Sequence, residues 1–525
     1  MREVVVVGGG PAGIGAALAA LRAGARVTVV DSAEHLGGQY LRGATRTAPS
    51  EAPAPPAPPR ACRTPSTTRD RLLRAVDTVA SHPRSTLLTR TSVWALEPGG
   101  HGPTVRALRG DADGDRTPYT LHPDALVLAP GAHDLTLPFP GWDLPGVYTA
   151  GAAQALAKGD GVAVGRRAVV AGSGPFLLPV AAALSGAGAD VVGVLEAAGA
   201  ARLAAGWLRS PLAVLRDAAA DRGGELAGYL AGQVRHGVPY RTGTGVIAAH
   251  GSDQVEEVTV ASLWADWSPV PGTERRVAVD AVCVGHGFVP RLELPIAAGC
   301  GIGPERIVGV DDAQRTMVPG VFAAGEVTGI GGADLAVAEG LVAGWAAAGG
   351  RHDDPLLRRA ARIRARHRAF AARMHSAHPI GAGWTAWLTH DTLVCRCEEV
   401  TAAEIDTACA RTGAGEPRGL RSIKLTTRAG LGPCQGRMCG TALTELVRRR
   451  AQHAVSSAPV DRRPIAAPIR LGELAGLDAP CGAAATGPTT SPAPARETGH
   501  HPSHHQGGRA GARPAAPPVR PPEGA

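Results

Sequence analysis

The 525-residue sequence predicts an α/β protein: two strand–glycine turn–helix–strand units, then a small, mainly helical cysteine module and a disordered C-terminal tail. Three observations carry that expectation. Gly8-Gly9-Gly10-Pro11-Ala12-Gly13 follows the β-branched run Val4–Val7, and Gly172-Ser173-Gly174 follows a second apolar run that starts at Arg167. Each turn precedes an Ala/Leu-rich helical stretch, and each second strand closes on an acid, Asp31 or Glu196. Further on, Cys395-x-Cys397 and Cys434-x4-Cys439 offer four thiols.

Composition narrows the classes. With 44% hydrophobic residues, and room for about two to four domains at ~100–200 residues each, core size is no obstacle. No apolar run of about 18 or more residues escapes interruption by glycine clusters or by charges such as Glu326, Asp334 and Glu339, so no membrane span is expected. The N-terminus has neither a basic n-region nor a cleavage site, which points to a cytoplasmic, reducing setting. The formal net charge of +8 is concentrated in 351–450, chiefly at Arg358, Arg359, Arg362, Arg364, Arg366, Arg368 and Arg373. That stretch lacks interleaved aromatics and nucleic-acid motifs. It reads as a solvated basic helix or a docking face for an acidic partner, with no nucleic acid.

Element by element, Val4–Val7 suits a buried parallel strand, Ile14–Ala23 a helix stopped by Gly24, and Arg26–Val30 a second strand. Residues 44–68, rich in Pro, Ala, Thr and Arg, read as a disordered loop. Strands are expected near 86–96, 104–108 and 125–129, then at 255–264 and 277–284, with helical periodicity over 207–236. A helix over 356–374 leads to the cysteine module at 390–450. His500, His501, His504 and His505 lie in the tail, without fixed geometry. The resulting division is 1–150 for the first part of the first dinucleotide-binding domain, 151–284 for the second, and 285–350 for the return to the first. A basic helical linker spans 351–389, the cysteine domain 390–475 and the tail 476–525.

In the first turn Gly8 permits the tight bend, Gly10 lets backbone approach a pyrophosphate, and Gly13 lets helix pack on strand. Asp31 is placed to accept from ribose hydroxyls. The second turn, Gly172-x-Gly174, lacks the third glycine, with Leu177 in its place. Glu196 there suits a free ribose hydroxyl better than a 2′-phosphate, which favours NAD(H) or another adenine nucleotide over NADP; a degenerate repeat that binds nothing is the alternative. The thiol spacing suits a [2Fe–2S] cluster; structural zinc and plain buried thiols stay open, although C-x-C fits zinc knuckles poorly. Cys62, Cys283, Cys300, Cys409 and Cys481 read as ordinary thiols. The first unit carries no C-x-x-C of the disulfide-reductase kind, and no HExxH, GxSxG or P-loop occurs. No catalytic acid or base is marked: His133 and His286 lie near motifs as packing or loop residues.

Leu126–Gly131 and Gly320–Glu326 resemble the strand-and-turn motifs of two-dinucleotide-domain flavoproteins, with Pro130 for the usual Thr and Glu326 for the usual Asp. Leu36-Gly37-Gly38-Gln39, Pro138–Trp142, Leu144–Val147, Val284–Pro290 and Ala324–Gly332 extend the likeness. Together they resemble the FAD/NAD-dependent oxidoreductases that form the larger subunit of bacterial opine oxidases, hydrogen cyanide synthases and hydroxyproline or proline dehydrogenases. The cysteine module resembles [2Fe–2S] domains of the bacterioferritin-associated-ferredoxin type. The resemblance implies FAD held by Gly8, Gly10, Pro11, Ala12, Gly13, Asp31, Gly38, Gln39, Ala129, Gly131, Gly325 and Glu326. It implies a [2Fe–2S] cluster on Cys395, Cys397, Cys434 and Cys439, with Gly172, Gly174 and Glu196 as the NAD or adenine-nucleotide residues. It also implies an electron-transfer role within a complex, beside an amino-acid-oxidase-like flavoprotein and a small ferredoxin-like protein. The rival readings are a free-standing NADH-dependent reductase, and an iron–sulfur carrier or sensor with a vestigial flavin fold.

Overall fold

A computed structural model describes residues 1–43, 67–97, 99, 102–208, 228, 237–351, 354–411, 419–451 and 465–475. The expected loop at 44–68 lies outside the described residues except for Thr67 and Thr68, which open the helix Thr67–Ser81; nearly all of the helical stretch 207–236, Cys62, Cys481 and the tail lie outside them too. Glu3–Val7 is the centre of a five-stranded parallel sheet in the order Val321–Ala323, Ala125–Leu128, Glu3–Val7, Arg26–Val30, Ser85–Leu88. Its four valines are buried because helices cover one face, while Val93, Leu96, Val105 and Ala107 together with residues 292–308 cover the other. The strand expected over 86–96 is two strands in different sheets. Arg90, at φ 51, turns the chain between Ser85–Leu88 and Thr91–Glu97, and the latter opens a three-stranded antiparallel sheet with Thr104–Arg109 and Thr117–Leu121.

The helix Pro11–Arg22 packs on Ala333–Ala347 through small residues. A Cβ on Gly344 would stand 1.9 Å from the Ala16 carbonyl oxygen, so only glycine allows this approach. The return of the chain to the first sheet after residue 285 is thus built into the helix contact.

The second parallel sheet runs Tyr240–Thr242, Asp190–Glu196, Arg167–Gly172, Ala281–Gly285, Val147–Thr149. An antiparallel three-stranded sheet (Thr244–His250, Glu257–Ser262, Arg275–Ala278) leans on it. Between the halves, Ala132–Asp134 pairs antiparallel with Phe288–Pro290.

The basic stretch is helical over Pro355–Ala377; Arg358, Arg359, Arg362 and Arg368 are exposed on it, while two other arginines turn into the fold. Arg364 is buried and donates to the Asp312 carbonyl oxygen at 2.8 Å, the Asp312 carboxylate at 2.8 Å and Gln314 Oε1 at 3.2 Å. Arg368 donates to Glu339, which is 1% exposed, at 2.9 and 3.2 Å, and Arg373 is buried as well. Arg364 and Arg373 are covered because the helix lies across the flavin-motif half and reaches the second sheet. There Gly206 leaves room for the backbone of Ala377.

The cysteine module is mainly helical, with Ala402–Arg411, Leu420–Thr427 and Gly440–Ala451 beside a short pair, Leu393–Cys395 and Val400–Thr401. Its core is continuous with that of the second sheet: Val169, Leu195, Val258 and Val282 belong to one apolar cluster with Trp267, Trp384, Trp387, Ile405 and Leu443. Trp267 and Trp387 stack at 6.3 Å with 8° between planes, and Trp387 Nε1 donates to the Trp267 carbonyl at 2.9 Å. Residues 465–475 leave the module and return to the antiparallel sheet of the first half, where Glu473 accepts from Arg116 and Ala466 N donates to the Trp94 carbonyl. Among the described residues no helix is long and apolar enough to cross a membrane.

A shared core makes the two parts one cooperative unit. Trp387→Ala is expected to cost about 3–5 kcal/mol and to lower the urea midpoint of both parts together. Separate transitions, by circular dichroism and by tryptophan fluorescence, would show that the parts unfold independently.

Candidate cofactor sites

The first crevice opens at the carboxyl ends of the central strands, where the three motifs converge. A Cβ on Gly8 would lie 2.1 Å from the Ala129 carbonyl oxygen, one on Gly13 1.7 Å from the Gly8 carbonyl oxygen, and one on Gly325 2.7 Å from Ala12 Cβ. One on Gly38 would lie 3.0 Å from Gly10 Cα, and Gly37 N donates to the Gly9 carbonyl at 2.7 Å. Gln39 Oε1 accepts from Arg42 Nε at 2.9 Å. The helix behind this loop begins with Pro11 and has neither a capping side chain nor an acid in its first turn. That leaves its positive end facing the glycine loop, as a pyrophosphate requires. Asp31 Oδ2 accepts from Gly9 N at 2.5 Å and Oδ1 from Ala33 N at 2.7 Å; the residue keeps partial exposure.

Glu326 folds back onto the start of Ala333–Ala347, its oxygens accepting from Gly331 N at 3.2 Å and Gly332 N at 2.9 Å. Burial pushes its carboxyl up to about 7, against the lowering effect of those two N–H groups. Behind it, Glu339 accepts from Gly325 N at 3.0 Å and from Thr328 Oγ1 at 2.7 Å, besides Arg368. Glu339 therefore shapes the Gly325 turn. In the sequence it registers only as a charge interrupting an apolar helix, although a lone carboxylate in such a helix is itself a sign of an internal partner.

The second crevice has another character. Gly172 and Gly174 take φ 141 and φ 112. Glu196 is fully buried, with Oε1 accepting from Ser173 Oγ at 2.8 Å and Ala198 N at 2.9 Å, and Oε2 from Gly174 N at 2.9 Å and Tyr240 OH at 3.4 Å. His378 Nδ1, just past the linker helix, lies 3.2 Å from Oε2. Burial alone would raise this carboxyl; His378 and the two N–H groups outweigh it and hold it below the ordinary range. The expected ribose acceptor thus turns its oxygens inward. His286 is buried 6.0 Å from Trp267 and 6.2 Å from Trp387, and burial brings it down to about 4, so it stays neutral.

The four cysteines come together at the foot of the module. Cys439 lies close enough to feel both Cys395 and Cys434, and Cys397 to feel both Cys434 and Cys395. Gly430 N donates to Cys395 Sγ at 3.5 Å, and a side chain at Gly432 would meet Cys397 Cβ at 2.3 Å. Cys395 is drawn down to about 5, chiefly by Cys439 and by backbone N–H groups. Among the described residues no three His, Cys, Asp or Glu side chains converge as one metal ion would need. Four thiols spaced C-x-C and C-x4-C are the donor set of a two-iron cluster and fit a single tetrahedral ion poorly. Cys283 and Cys300 are isolated buried thiols, and burial pushes Cys283 up to about 12.

Fold and sites define a two-dinucleotide-fold flavin oxidoreductase with an iron–sulfur module. Residues 2–340 match the pyridine nucleotide-disulphide oxidoreductase family, to which the chain belongs, and 393–449 match the BFD-like [2Fe-2S] binding domain. The first match implies FAD and NAD(P) binding and the second a [2Fe–2S] cluster. The chain is 33% identical to the hydrogen cyanide synthase subunit HcnB of Pseudomonas aeruginosa, over 89% of this chain and 98% of that one. It shares the same 33% identity with one of the subunits of opine oxidase from Rhizobium meliloti, over 91% and 99%. L-proline dehydrogenase from P. horikoshii shares its fold, with TM-score 0.59 at 20% identity, covering 90% of this chain and 79% of that one.

Glu326 yields a pH test. Its folded-state carboxyl lies above the ordinary value of 4.5, so the folded chain binds that proton more tightly. Its contribution to stability is full below about 4.5 and is lost as pH rises through about 7. In flavin-stripped protein, Glu326→Gln should flatten the fall in unfolding midpoint between those values. An unchanged profile would show that another group carries the pH dependence.

Proposed function

We propose that this chain is the FAD- and [2Fe–2S]-carrying electron-transfer subunit of a multisubunit amine or amino-acid dehydrogenase or oxidase of the opine, hydroxyproline or proline type. It works in the cytoplasm beside two further subunits, an amino-acid-oxidase-like flavoprotein and a small ferredoxin-like protein. One observation carries the reading: the loop Cys434–Cys439 sits directly on the strand that leaves the flavin turn Ala129–Gly131, with no domain between them. The near-complete coverage of two relatives that are themselves subunits supports it.

When bound, the flavin exchanges one or two electrons and the cluster one at a time. The chain's own residues do the rest. The glycine loop and the helix Pro11–Arg22 orient the dinucleotide, Asp31 holds the loop, and Glu339 fixes the Gly325 turn. The apolar seam around Trp384 and Trp387 excludes water behind the thiols.

Anaerobic reconstitution followed by absorbance and rapid mixing tests the reading. Wild type should show flavin and iron–sulfur bands. Cys434→Ser should keep the flavin, lose the cluster spectrum and slow flavin re-oxidation by a one-electron acceptor about tenfold or more. Unchanged re-oxidation in that variant, or rapid flavin bleaching by NADH with no other protein present, would overturn the proposal.

A further inference from the structure

The segment 129–143 reaches both cysteine-bearing stretches of the module. It leaves the flavin turn at Ala129-Pro130-Gly131 and forms the strand Ala132–Asp134. His133 Nε2 then meets the Arg437 carbonyl oxygen at 3.2 Å. A carbonyl only accepts, so Nε2 carries the hydrogen and donates, and the buried Nδ1 keeps a bare lone pair without a partner. Thr136 Oγ1 approaches Met438 Sδ at 4.0 Å. Trp142 Nε1 donates to the Leu393 carbonyl at 2.6 Å, and the Arg396 guanidinium lies 5.1 Å from the centre of the Trp142 ring. One short stretch of chain therefore contacts both the residue between Cys395 and Cys397 and residues between Cys434 and Cys439.

A second route reaches the same place. Arg291 N donates to the Gly131 carbonyl at 3.0 Å, and two residues on Glu293 accepts from Arg437 Nε at 2.5 Å. Arg437 Nη2 donates to the Ala466 carbonyl at 2.8 Å. Arg437 is thus held by His133 on one strand of the pair Ala132–Asp134 and Phe288–Pro290, by Glu293 just beyond the other, and by the returning segment 465–475.

We propose that His133 is a positioning residue that fixes the cluster loop on the flavin turn, so that the direct contact for electron exchange between the two cofactors runs through His133 and Arg437. This rests on the electron-transfer reading above. In the step concerned, an electron placed on the flavin leaves it for the oxidised cluster. The flavin is oxidised by one electron, the cluster is reduced by one, and no bond to protein forms or breaks.

The test uses the full-length chain carrying both cofactors. A deazaflavin photoreductant supplies the electron, and dithionite-reduced samples are read by electron paramagnetic resonance. His133→Phe keeps a flat aromatic ring, somewhat larger, and removes the donor. It should retain flavin and iron, change the g-values of the reduced cluster, and slow flavin-to-cluster transfer about tenfold, the scale of one buried hydrogen bond lost. His133→Gln, whose amide donates from the same reach, should restore both readouts. Wild-type g-values and transfer rate in His133→Phe would overturn the inference. Should that variant lose its cluster, Glu293→Gln loosens Arg437 from the flavin half without touching the cysteine loop's own ligands; unaltered transfer there would overturn it equally. A wild-type protein whose cofactors exchange no electrons would sink the electron-transfer reading instead, while the g-values still decide whether His133 holds the loop.

Discussion

The apolar seam running from Val169 and Leu195 through Trp267, Trp384 and Trp387 to Ile405 and Leu443 decides where everything else sits. A module of some sixty residues buries too little surface to stand alone with much margin. Here it borrows the core of a Rossmann-like sheet, and with it a fixed orientation. The loop Cys434–Cys439 then lies against the strand Ala132–Asp134, with Cys395 and Cys439 buried and Cys397 exposed, and the distance from flavin turn to cysteine loop is set by packing, not by a tether. Trp142, a member of the same cluster, adds to this, its indole donating to the Leu393 carbonyl.

Charge plays a specifying part that net charge conceals. The arginines of Pro355–Ala377 include side chains committed to internal acceptors, so an excess of positive residues is no measure of an exposed basic face. Glu339, buried in an apolar helix, is tolerable only because Gly325 N, Thr328 and Arg368 all donate to it. Removing one member would leave the others buried and unmatched. The same carboxylate links the linker helix to the turn that carries Glu326.

Much of this architecture is legible in the sequence, because backbone requirements leave marks. Gly8, Gly13 and Gly325 stand where a side chain would strike backbone or a neighbouring side chain, and four cysteines with nearby glycines announce a thiolate site. Other features leave no such mark. Arg90 splits one apparent strand into two sheets by a single left-handed residue, which no periodicity reveals. Residues 465–475 read as the end of the cysteine domain, yet they lie against the first half through Ala466 and Glu473, since only a distant partner gives them a place. His133 is visible in the sequence as a residue near a motif; its role depends on Arg437, some three hundred positions away, and pairing at that separation is not a local signal.

The two acids that end equivalent strands show how far a motif reaches. Asp31 and Glu196 both accept from an N–H of their own glycine turn, at 2.5 and 2.9 Å. Asp31 keeps partial exposure beside an uncapped helix. Glu196, one methylene longer, also takes Ser173 Oγ and Ala198 N, and is roofed by Tyr240 and His378. Only part of the difference, Ser173 and the longer side chain, arises within the strand–turn–helix unit. The rest arises because the linker helix ends at Ala377 over the second sheet, against the space left by Gly206, and delivers His378 to the carboxylate. The same strap that closes the second crevice leads to Trp384 and Trp387, so the docking of the cysteine module and the inward turn of Glu196 are two consequences of one chain path.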